Sequence, residues 1–204
     1  AGAASAAYAA EYPEADVHAL DIGAGMLRYA HARAEALGVR VTFHQMDAAR
    51  LNFADDSFDL IVSHNMLHEI SAEKRRQAMA EALRVVRPGG LVIFQDVDTR
   101  FAPSDVHRVE KNWDTAFNGE IFWKTYGEAD LIADMTAAGF AAADIAEHNL
   151  EAVSNTNRWY AISGRKPGAG GAACPVRPMP LPPSSKAVGA PARIACTIRR
   201  QSRC

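Results

Sequence analysis

The stretch Leu20-Asp21-Ile22-Gly23-Ala24-Gly25 decides the fold. An apolar run that ends in an acid and two glycines reads as a strand turning into a helix. One reading makes Gly23 and Gly25 the phosphate loop of a dinucleotide fold. That motif needs a third small residue, and the position three after Gly25 is Arg28. The other reading puts the function on Asp21, because a carboxylate at a strand end offers two acceptor oxygens to a ribose. An isolated strand-end Asp can equally cap a helix.

Working outward, residues 3–12 are alanine-rich and read as the end of a helix stopped by Pro13. Val17 to Asp21 is a short strand. Met26, Leu27, Ala30, Ala34 and Leu37 recur at helical spacing, with Gly38 as the stop. Val39 to His44 alternates as a strand does. Phe58 to Ser63 is an apolar run suited to a strand buried on both faces. Residues 72–86 form an amphipathic helix, then Arg87-Pro88-Gly89-Gly90, then a strand from Leu91 to Val97. Residues 98–125 read as irregular. Glu128 to Ala138 is a helix. Ala143 to Leu150 and Thr156 to Ser163 are terminal strands without a helix between them. The pattern predicts an α/β fold: a Rossmann-like, mostly parallel sheet with helices on both faces and an antiparallel edge hairpin.

The chain divides near Gly164. Residues 1–164 hold 14 basic and 24 acidic side chains, a net −10; residues 165–204 hold 8 basic and no acidic ones. The tail also carries 7 of the 10 prolines and all three cysteines, Cys174, Cys196 and Cys204. We expect residues 1–164 to be one domain and 165–204 to be a disordered basic Pro/Gly-rich tail, foreign to the fold. The acidic body argues against a nucleic-acid partner. No run is long and apolar enough for a membrane span. The cysteine-free body fits a reducing cytoplasm, and no signal peptide is read. Nothing bears on oligomeric state.

In such sheets ligands sit beyond the carboxyl ends of the strands. The candidates are Asp21, Asp47, Ser63-His64-Asn65 and Gln95-Asp96. Four segments carry a resemblance: Asp21 with Met26-Leu27 and its helix, Gln45-Met46-Asp47-Ala48, Ser57 to His64, and Leu83-Arg84-Val85-Val86-Arg87-Pro88-Gly89-Gly90-Leu91. In this order they resemble a class I S-adenosylmethionine-dependent methyltransferase of the type 11 and ubiquinone/menaquinone-biosynthesis group. The resemblance covers Val17 to Lys166. It implies S-adenosylmethionine as cofactor, a small-molecule methyl acceptor, and cofactor contacts from Asp21, Ile22, Met26, Asp47, Ala48, Ser63 and His64.

Spacing then fixes the meaning of the opening stretch. Asp21 and Asp47 are 26 residues apart, with one helix and one strand between them. In the resembled family that is the gap between the acids closing the second and third strands, which makes Asp21 the ribose acid and the two glycines incidental. We therefore expect the first strand and its glycine loop to be missing, the flanking strands to expose open edges, and cofactor binding to be weak. A truncated, inactive domain is one alternative; an NAD(P)-dependent dehydrogenase-like enzyme is another.

Other residues keep two readings. His64 and His68 have a metal-capable spacing, but Asn65 replaces the glutamate of the zincin motif and no third ligand is evident, so no metal is expected. Both are candidate catalytic residues for placing substrate or acting as a base, or else serve surface and capping roles. Phe101, Trp113, Phe117, Phe122, Trp123 and Tyr126 either form a substrate lid or pack under a long loop.

Overall fold

A computed structural model of the chain describes residues 1–98, 104–117, 119–150, 159–168 and 193–197. Helix α1 spans Ala3–Glu11, strand β1 Asp16–Asp21, helix α2 Ala24–Leu37 and strand β2 Thr42–Gln45. Strand β3 spans Phe58–His64 and is followed by a 3₁₀ turn at Leu67–Glu69. Helix α3 is Ala72–Val85; its N-cap Ser71 accepts from the Lys74 amide. Strand β4 is Val86–Val97, and helices α4, α5 and α6 are Asp105–Phe117, Trp123–Gly127 and Leu131–Ala137. Strands β5 (Ile145–Asn149), β6 (Trp159–Arg165) and β7 (Arg193–Thr197) complete the described elements.

The seven strands form one sheet in the order β2-β1-β7-β3-β4-β6-β5. β2, β1, β7, β3 and β4 pair in parallel. β6 lies antiparallel to β4 and to the edge strand β5. The mostly parallel sheet and the antiparallel edge hairpin agree with the expected fold class. Alternation along the strands splits the core in two. Val17 and Val62 pack with Ala9 on the side of α1, and Ala19 packs with Ala30 of α2. Phe58, Ile61, Val92, Phe94 and Ile162 pack with Met79 of α3 and Met135 of α6 on the other face.

Two expectations are corrected here. The slot between β1 and β3, expected to be open, is filled by a strand from the tail. β7 pairs along β1 from Asp16 to Leu20 and along β3 from Leu60 to Ser63. Residues 193–197 of the tail thus form a parallel strand between β1 and β3, and Ala195 is 3% exposed within the main core. A strand flanked on both sides satisfies its own amides and those of two neighbours, which offsets the ordering entropy that composition alone made prohibitive. The body also runs past Gly164: Lys166 exchanges backbone hydrogen bonds with Gly89 and Gly90.

The second correction is α4, which forms where irregular chain was expected. Val106, Val109, Trp113 and Phe117 recur at helical spacing but stay exposed. Near the other end of the sheet, register shifts between Phe58 and Leu60. A Cβ on Gly90 would lie 2.6 Å from Val86 Cγ2 and 2.9 Å from Asp59 O, so only glycine fits beside this irregularity. Phe101 and the first residues, 156–158, of the expected last strand lie outside the described residues.

Candidate functional site

A cleft of about 320 Å³ opens at the carboxyl ends of β1 and β2, above the 3₁₀ turn and the start of α3. Its wall includes Asp21, Ile22, Asp47, Ala48, Met66 and Glu69. A larger groove of about 490 Å³ lies at the opposite, amino-terminal ends of β1 and β2, beside Asp16 and Arg40. Strand geometry favours the carboxyl-end cleft, where turns and helix starts converge and backbone donors point outward.

Asp21 is the last residue of β1 and is 4% exposed. Its Oδ1 accepts from the Gly23 amide at 2.6 Å, and Gly23 is the N-cap of α2. A Cβ at position 23 would sit 3.1 Å from that oxygen. Gly23 therefore supports the acid and is not incidental, whereas Gly25 meets nothing nearer than Arg28 Nη2 at 3.8 Å. Asp47 follows β2. Its Oδ1 accepts from the Ala49 amide at 2.9 Å, and its Oδ2 pairs with Lys74 Nζ at 2.7 Å. The hydrogen bond from Lys74, outweighing partial burial, holds the Asp47 carboxyl below the usual range, so it is an acceptor at neutral pH.

The fold brings Asp21, Ile22, Asp47 and Ala48 to this one cleft. It does not bring Met26, Ser63, His64 or His68 to its wall. His64 stacks on Trp159 with ring centroids 5.5 Å apart. Ser63 is buried and borders a small void of about 20 Å³ beneath the cleft. Met26 packs near Gly23.

The His68 side chain is 0% exposed. Its Nδ1 lies 2.5 Å from Asp96 Oδ1, and Asp96 also accepts from the Leu67, His68 and Val97 amides. Burial works against charge on His68. The Asp96 hydrogen bond and the neighbouring Glu69 carboxylate together outweigh it and push the imidazole up to about 9. Asp96 thus ties the 3₁₀ turn to the end of β4. Trp123 and Tyr126 of α5 cover the ring, with centroids 5.3 and 6.3 Å away. Of the expected lid aromatics, Phe122 reaches the cleft, while Trp113 and Phe117 contact each other on the exposed face of α4.

Sequence reasoning missed Lys74, Met66 and Glu120. Lys74 stands one turn into α3, and its Ser71-x-x-Lys74 position was the available signal. Glu120 is 52 residues from His68, and only folding joins them.

The residues present fit the adenosine part of S-adenosylmethionine. A buried carboxylate at the end of β1 suits a ribose diol, and an ionised carboxylate beside apolar Ile22, Ala48 and Met66 suits a purine with an exocyclic amine.

Residues 1–90 match the family model described as a methyltransferase domain. A malonyl-[acyl-carrier protein] O-methyltransferase of Halorhodospira halophila is 28% identical over 194 residues, covering 76% of this chain and 63% of that protein. The ubiquinone/menaquinone biosynthesis C-methyltransferase UbiE of Dinoroseobacter shibae is 40% identical over 80 residues, covering 38% of this chain and 31% of its own length. The chain thus spans less than two thirds of these curated relatives. A solved structure of a SAM-dependent methyltransferase from Methanosarcina mazei superposes with a TM-score of 0.60 at 18% identity, covering 78% of this chain and 85% of that one. Residues 1–90 thus resemble a methyltransferase domain, and the sheet has the fold of solved S-adenosylmethionine-dependent methyltransferases.

Proposed function

We propose that the chain binds S-adenosylmethionine with its adenosine in the carboxyl-end cleft and transfers a methyl group to a small-molecule acceptor in the cytoplasm. The unit that does so is residues 1–166 with β7 as its central strand. The observation that carries the reading is the convergence of two acids, Asp21 and Asp47, from separate strand ends on one cleft. The cofactor's electrophilic sulfonium supplies the methyl group and most of the driving force. Asp21 would accept from the ribose hydroxyls and set the nucleoside's register. Asp47 would accept from the exocyclic amine, its charge and position held by Lys74 and the Ala49 amide. Ile22, Met46, Ala48 and Met66 would exclude water from the ring faces. Phe122, above the cleft, would limit the size of the acceptor. His64 and His68 act at one remove: His68 orients Glu69 at the cleft wall, and His64 braces the end of β3 against Trp159.

The named relatives methylate different acceptors, an oxygen of a carrier-bound acid and a quinone carbon, so the acceptor class rests on the pocket alone. Calorimetric titration with S-adenosylmethionine, S-adenosylhomocysteine and NADH tests the reading. Heat with the two sulfur nucleosides and none with NADH supports it. Saturable NADH binding with no response to the others would replace it with the dehydrogenase-like alternative.

A further inference from the structure

The 3₁₀ turn brings His68 and Glu69 together with Glu120, just ahead of α5, and one ligand atom from each lies within 4.8 Å of the other two. The imidazole is held as metal-binding imidazoles are held. Nδ1 is anchored on Asp96 Oδ1, which fixes the ring plane and directs Nε2 at the two glutamates. The buried Nε2 stands 3.5 Å from Glu69 Oε1, too far for a good hydrogen bond, and with the imidazole pushed up to about 9 it carries a proton that an incoming cation displaces. Around a shared ion the three atoms would stand about 3–3.5 Å apart, which small rotations of the two glutamate side chains can reach. One imidazole and two carboxylates suit a transition-series divalent cation such as Mn²⁺, Fe²⁺ or Zn²⁺.

We propose that His68, Glu69 and Glu120 form a divalent-cation site beside the cleft. It is not the His64/His68 pair of the sequence: of those two only His68 takes part. Glu69 also lines the cleft, so a cation held there would have an acceptor's hydroxyl or carboxylate oxygen within reach on the Glu69 side. That last role rests on the methyl-transfer reading; binding of the cation does not.

The experiment is Mn²⁺ titration of the full chain, followed by electron paramagnetic resonance of the free ion. It is run on the wild type, Glu69→Gln, Glu120→Gln and the exposed control Glu128→Gln, with far-UV circular dichroism to verify folding. The expected result is one saturable site, weakened more than about tenfold in Glu69→Gln and in Glu120→Gln and unchanged in Glu128→Gln. No saturable site in the wild type, or equal binding in all four proteins, overturns the proposal. S-adenosylmethionine binding is measured in parallel. Mn²⁺ binding without cofactor binding upholds the site and counts against the methyl-transfer reading, and the reverse result sinks the site alone.

Discussion

Replacing Ala195 by proline interrogates the least expected element of the fold. Ala195 is the central residue of β7, paired in register with His18 of β1 and Ile61 of β3, and it is 3% exposed. Proline removes its amide donor and places a ring in the ladder of a strand flanked on both sides. The lost hydrogen bond contributes about 1 kcal/mol, and the buried carbonyl left without a donor costs about 1–3 kcal/mol more. Together they destabilise the fold by about 2–4 kcal/mol, a large share of the about 5–15 kcal/mol that holds a typical domain. With a urea slope of about 2 kcal/mol/M, the midpoint should fall by about 1–2 M. Circular dichroism during urea titration reads this directly. An unchanged midpoint would refute the placement of β7 and restore the structureless tail.

Arg84 ties α3 to the preceding loop, donating to Leu51 O, Phe53 O, Asp55 and Glu81; Arg84→Ala should cost about 1–3 kcal/mol in thermal unfolding. The same guanidinium holds the Glu81 carboxyl below its ordinary range, so Glu81 should remain ionised in an NMR titration through mildly acidic pH. Asp96→Asn leaves His68 without its carboxylate and weakens three amide contacts, and should destabilise the chain by about 3–5 kcal/mol, read as a lowered urea midpoint. Burial and then the neighbouring His18 lower the pKa of His44 below the 6.5 usual for an imidazole. The unfolded chain therefore binds this proton more readily. Its contribution to stability is complete above 6.5 and is lost as pH falls through the folded value, and His44→Phe should flatten that part of the stability–pH curve.

The parts legible in the sequence were those written locally. The Phe58–Ser63 run and the two acids 26 residues apart each carry their own signal, and Asp21, Ile22, Asp47 and Ala48 line one cleft. β7 was illegible because five residues set in a Pro/Gly-rich segment have no pattern of their own; their order comes from the ladders on either side. Helix α4 carries a helical apolar spacing, but its aromatics fit a lid segment equally well, so the spacing alone does not decide. The Asp47–Lys74 pair and the His68–Glu120 approach join residues 27 and 52 positions apart, which no local window sees. Gly23 was read as incidental because its partner is Asp21's own side chain, a contact that spacing does not encode.

Equilibrium dialysis of labelled S-adenosylmethionine against the wild type and Asp21→Asn bears most directly on the central claim. Asparagine keeps the oxygen that accepts from Gly23 and removes the charge. The account predicts saturable wild-type binding that weakens about 10- to 100-fold in the variant, the worth of a hydrogen bond to a charged group. No saturable binding to the wild type, or equal binding by both proteins, would contradict it.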